Sequence, residues 1–157
     1  MLAPAIAALP GWTTVDALPT AIGTVALVAV GPAGAFAIEH ADGTGLRALA
    51  DVPERALIHV WAQAKHLERQ RLGGSVTPVL ALDGAAPAGP AGRRRGVRVL
   101  PAVSVAAWLA AQPAALSDAE VERLRRRLDG APLPAPAPAP APPAPAPAAA
   151  TAPVLAA

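Results

Sequence analysis

The chain has 157 residues, room for one domain and a tail, and its net charge of +2 is only a modest signal for an anionic partner. It has no cysteine, which excludes disulfides, thiolate metal sites and a cysteine nucleophile. Its mean hydropathy of +0.41 comes from alanine rather than from a membrane segment. The longest apolar stretch, AIGTVALVAVGPAGAFAI over 21–38, is broken by Gly31, Pro32 and Gly34 into pieces too short to span a bilayer. The N-terminus lacks the basic start and long apolar core of a secretion signal, so a cytoplasmic protein without membrane contact is expected.

A short helix is expected at Leu2–Leu9, and WTTVDALP reads as a strand ended by Pro19. GTVALVAVG, 23–31, is apolar at every position from Val25 to Val30, which predicts a central strand buried on both faces. After the turn PAGA comes AFAIEHA. Alternation puts Phe36, Ile38 and His40 on one face and Ala37, Glu39 and Ala41 on the other.

From Pro53 to Leu72 the period becomes helical, with Ala56, Leu57, Val60, Ala64 and Leu67 on one side and a margin of His59, Gln63, His66 and Gln70. VTPVLAL, 76–82, reads as a buried strand in which Pro78 argues for an edge or a bulge. Residues 83–96 are expected to be a loop, 97–100 a short strand and 103–111 a short helix. Ser117 and Glu120 form a capping box for a last helix that Gly130 ends. This order predicts an α/β domain over 1–130, with a mixed sheet and helices packed on it.

Residues 131–157 hold half of the 20 prolines and no charged side chain. Alternating Ala-Pro resists helix and sheet, so a disordered, polyproline-II-like tail is expected. It is either a passive spacer or a ligand through which a protein partner with a proline-recognising module engages the chain.

The order of VGPAGAFAIE (30–39), VWAQA (60–64), SVTPVLAL (75–82), GVRVLPA (96–102) and LSDAEVERL (116–124) resembles the nuclease-related domain (NERD) family. The resemblance covers roughly Trp12 to Asp129 and implies a restriction-endonuclease-like fold with a mixed central sheet. It also implies a metal-dependent phosphodiesterase site in which a strand Asp and an acid-x-Lys hold Mg²⁺ or Mn²⁺, with DNA as the partner. A carboxylate-held cation neutralises the anionic phosphodiester and lowers the pKa of the attacking water.

Carried over by position, the strand Asp falls on Ala26 and the acid-x-Lys on Glu39-His40-Ala41, so only Glu39 and the helix residue Gln63 match. The resemblance therefore implies a degenerate site, with Glu39 and Gln63 as vestigial catalytic residues and no metal cofactor unless activity is retained. Either of two helix histidines is open as a substitute in an active, atypical enzyme that uses Glu39 and Gln63. Glu39 with His59 or His66 could hold an ion, although the two imidazoles stand about 10 Å apart along the helix. Arg93, Arg94 and Arg95 are either a solvated turn or a contact to nucleic-acid phosphate.

Overall fold

The computed structural model describes residues 2–130, and the expected Ala/Pro tail lies outside them. It is a mixed α/β structure built on a six-stranded sheet of order β1-β2-β3-β4-β6-β5. The strands are β1 Thr13–Thr20, β2 Gly23–Gly31, β3 Gly34–Asp42, β4 Val76–Asp83, β5 Gly92–Arg94 and β6 Val97–Pro101. The first three form an antiparallel meander. β4 then pairs parallel to both β3 and β6, and β5 closes the far edge antiparallel to β6.

The helices are α1 Leu2–Ala7, α2 Glu54–Leu67, α3 Ala102–Ala110 and α4 Asp118–Leu128. α2 and α4 cover one face of the sheet. There Ala64, Leu67, Val121 and Leu128 meet Val28, Val30 and Ala37, while Leu57 and Val60 meet Leu80, Leu82, Val97 and Val99. α1 and α3 cover the other face, through Ile6, Val105 and Leu109 against Leu27, Phe36, Ile38 and Val79. A sheet buried on both sides explains why β2 and β4 read as continuous apolar runs. None of the helices among the described residues is long and apolar enough to cross a membrane.

Four local details depart from the sequence reading. β1 does not end at Pro19, which pairs with Thr24 inside the strand. An edge strand needs no donor on its outer side, so the missing N–H costs little there. β4 is central rather than an edge, yet its ladder to β6 begins only at Val79, so at Pro78 the strand is paired on the β3 side alone. The expected loop over 83–96 contains β5, joined to β6 by Arg95 and Gly96 with φ of 49° and 79°. Two successive positive φ values are the signature of a tight hairpin turn whose twist matches its strands. The expected helix to Leu72 is α-helical to Leu67 and finishes in a π-turn, Glu68–Leu72, closed by Gly73 at φ 64°.

That π-turn anchors its surroundings. Glu68 accepts hydrogen bonds from Lys65 Nζ at 2.7 Å and from the Val76 N–H at 2.8 Å, so one carboxylate links the end of α2 to the start of β4. The capping box of α4 forms as expected, with the Ser117 N–H donating to Glu120 Oε2 at 2.8 Å and the Glu120 N–H to Ser117 Oγ at 3.4 Å. A cap of this kind stabilises a helix by about 1 kcal/mol.

A paired irregularity in β1 and β2 matters most for the site. Val15 and Leu18 pack in the same cluster, as do Val25 and Val28, although residues three apart on a regular strand face opposite ways. The switch falls between them, where Ala17 adopts φ 50° and the register skips from Asp16↔Leu27 to Leu18↔Val25. The β2–β3 ladder stops at the same level, its last pair on that side being Leu27↔Ile38. Ala26 is therefore left without a strand partner on either side.

Candidate functional site

Glu39 takes over where the ladder stops. The Ala26 N–H donates to Glu39 Oε1 at 2.9 Å, so the carboxylate replaces the backbone acceptor that a regular β3 would have offered. Ala37 and Ala41, two residues either side, pack in the clusters under α2, which puts Glu39 on the α2 face of the sheet. Ala26 and Ala41, where the resemblance would put an acid and a lysine, offer no second ligand.

Gln63 lies on the same side, fully buried between Val60 and Leu67 on the inner face of α2. Its spacing from Leu57, Val60 and Ala64 puts it on the core stripe, where an amide must find a partner. The partner is the β1–β2 turn. Thr20 Oγ1 lies 3.0 Å from the side-chain oxygen of Gln63 and 2.6 Å from the carbonyl of Gly23. A hydroxyl has one proton, which the shorter contact takes. Turning the amide so that its nitrogen donates to Thr20 gives that nitrogen, otherwise buried without a partner, an acceptor. Gln63 clasps one hairpin turn and Glu39 a strand kink, and their hydrogen bonds go to different residues of the same hairpin.

The two helix histidines do not join them. His59 is exposed, and His66 lines a shallow 230 Å³ hollow with Thr20, Gln70 and Arg71. Among the described residues no three His, Asp or Glu side chains stand close enough together to hold an ion. A metal of the kind the resemblance implies does not fit the donor set at Glu39. It would meet one carboxylate already accepting a backbone N–H, flanked by alanines, with Gln63 hydrogen-bonded to Thr20.

His40 points to the opposite face, as alternation requires, and its Nδ1 lies 2.9 Å from Asp83 Oδ2. Both side chains are partly exposed at the carboxyl ends of β3 and β4, beside a 530 Å³ cavity that Leu2, Ala5, Val103 and Ala106 make apolar. Nearby, Asp42 Oδ1 accepts the Thr44 N–H at 2.9 Å, and that backbone hydrogen bond holds its carboxyl below the usual range. Asp42 thus shapes the loop.

The three consecutive arginines have three different surroundings. Arg94 Nη1 donates to the carbonyls of Leu49 at 3.3 Å, Ala50 at 3.2 Å and Val52 at 2.6 Å, pinning the segment before α2. Arg95 pairs with Glu54 at 2.7 Å. Arg93 faces away from both and lies directly opposite Arg98 across the β5–β6 pair. Arg98 and Trp108 escape a motif-based reading, since one lies singly in a strand and the other in an apolar helix. Alternation along VRVLP is the one signal that would have separated Arg98 from the core positions Val97 and Val99. A comparison of the chain with family models, curated proteins and solved structures found no match.

Proposed function

We propose that this chain is a nuclease-related domain, restriction-endonuclease-like in its sheet, whose hydrolytic site has become a structural joint. Its role is then non-catalytic binding or scaffolding, with DNA the partner that the resemblance implies. The observation that carries this reading is the engagement of Glu39. A metal-holding carboxylate keeps its oxygens for the ion and its waters. Here one oxygen closes a backbone donor that the kink at Ala17 and Ala26 has orphaned. Gln63 supports the reading in the same way, because its amide serves the Thr20–Gly23 turn.

The test is a cleavage assay of the full chain on single- and double-stranded DNA with Mg²⁺ or Mn²⁺. The expected result is no cutting above that of Glu39→Ala. Metal-dependent cleavage that Glu39→Ala abolishes would overturn the reading.

A further inference from the structure

Arg93 and Arg98 stand opposite each other in the antiparallel register of β5 and β6, on the face covered by α3. Like charges in that position repel, and a sheet normally avoids them or places a carboxylate between. Here neither arginine forms an ion pair among the described residues, although Arg95, two residues from Arg93, has Glu54. Arg98 is held in place regardless. Its guanidinium carbon lies 5.2 Å from the centroid of the Trp108 ring, and Trp108 meets Phe36 edge-on at 5.8 Å. The Arg98 Nε atom is buried and has no hydrogen-bond acceptor there.

Arg93 and Arg98 border a 440 Å³ cavity whose other main walls are Phe36, Trp108, Thr77 and Gln112. No carboxylate lines it. Gln112 donates its Nε2 to the Trp108 carbonyl at 3.0 Å, which leaves its side-chain oxygen available to a hydroxyl. A cavity of this size, mostly apolar with a few converging polar groups, is the usual form of a small-molecule site.

We propose that this cavity binds a phosphate monoester carried on a compact ring-bearing molecule. Charge selects the headgroup. Two unneutralised guanidinium groups match the roughly −1.5 to −2 of a phosphate monoester at neutral pH better than the single charge of a carboxylate. Residue type agrees, since arginine forks bind phosphate oxygens bidentately. The half-buried Trp108 ring, with Phe36 packed behind it, selects the body, which gains contact with a planar ring. The site lies on the sheet face opposite Glu39, so it stands or falls independently of the proposed loss of hydrolysis.

The test is calorimetric titration of the full chain with phenyl phosphate, AMP and inorganic phosphate. Phenyl phosphate or AMP is expected to saturate a single site with a Kd below about 1 mM. Inorganic phosphate is expected to bind roughly fivefold more weakly for want of the ring. Arg93→Gln, on an exposed edge strand, and Arg98→Lys, which keeps the charge but not the fork, should each weaken binding by about tenfold with unchanged circular dichroism. Arg55→Gln, elsewhere on the surface, should leave it unchanged. The proposal is overturned by the absence of saturable binding of both ring-bearing probes at about 1 mM, by a Kd indifferent to Arg93→Gln, by an equal loss in Arg55→Gln, or by inorganic phosphate binding as tightly.

Discussion

Replacing Glu39 separates a structural carboxylate from a catalytic one by stability alone. The Ala26 N–H is half-buried, has no strand acceptor at its level, and donates to Glu39 Oε1 at 2.9 Å. A hydrogen bond to a charged group contributes about 1.5–3 kcal/mol, and partial water access to Ala26 argues for the lower half of that range. Glu39→Ala is therefore expected to cost about 2 kcal/mol. Glu39→Gln keeps an acceptor of similar reach and should cost less than about 1 kcal/mol. For a domain of this size the alanine variant should melt roughly 6–10 °C below the parent. Urea unfolding followed by tryptophan fluorescence measures both variants, since Trp12 packs at 5.6 Å from Phe36 in the same sheet. An active-site carboxylate behaves in the opposite sense, because binding groups held for chemistry commonly cost stability and their removal restores it. A Glu39→Ala variant as stable as the parent, or more so, would refute the reasoning.

Two further outcomes follow from the fold. Gly31→Ala should lose about 2–3 kcal/mol and alter tryptophan emission, because the added Cβ would overlap the Trp12 indole, which must move; an unchanged urea midpoint would contradict this packing. At Glu68, burial pushes the carboxyl up, but the hydrogen bonds from Lys65 and Val76 outweigh it and hold the group below 4.5. A lowered folded pKa gives stability that is complete above the ordinary value and is lost as pH falls through the lowered one. The parent should therefore lose urea resistance below about pH 4.5, and Glu68→Gln should show a flatter decline over that interval, measured as midpoint against pH.

The elements with strong periodicity were legible in the sequence. β2 is apolar from Val25 to Val30 because helices cover both faces of the sheet, and α4 carries its own start and stop in Ser117, Glu120 and Gly130. What escaped lies where side-chain type gives no direction. β5 is three residues, Gly-Arg-Arg, with no apolar alternation, and it exists because β6 offers a free edge and Arg95-Gly96 a turn. The face switch at Ala17 and Ala26 leaves no trace in the sequence, since alanine fits either side of a sheet. Glu39 was legible as a lone carboxylate in place, but its task depends on that switch, which orphans the donor it accepts. Arg93, Arg94 and Arg95 are identical residues in three environments, and only the register of a strand not foreseen separates them.

The same kink has a consequence for association between chains. A six-stranded sheet that does not close into a barrel has two open margins, and straight margins recruit strands from other molecules. At one margin β1 is bent by Ala17 at φ 50° and carries Pro19, which has no proton to offer a seventh strand. At the other, β5 is three residues long and presents arginine side chains. One margin resists addition by its shape and the other by brevity and charge, so the apolar runs at the centre of the sheet stay shielded from edge-to-edge growth.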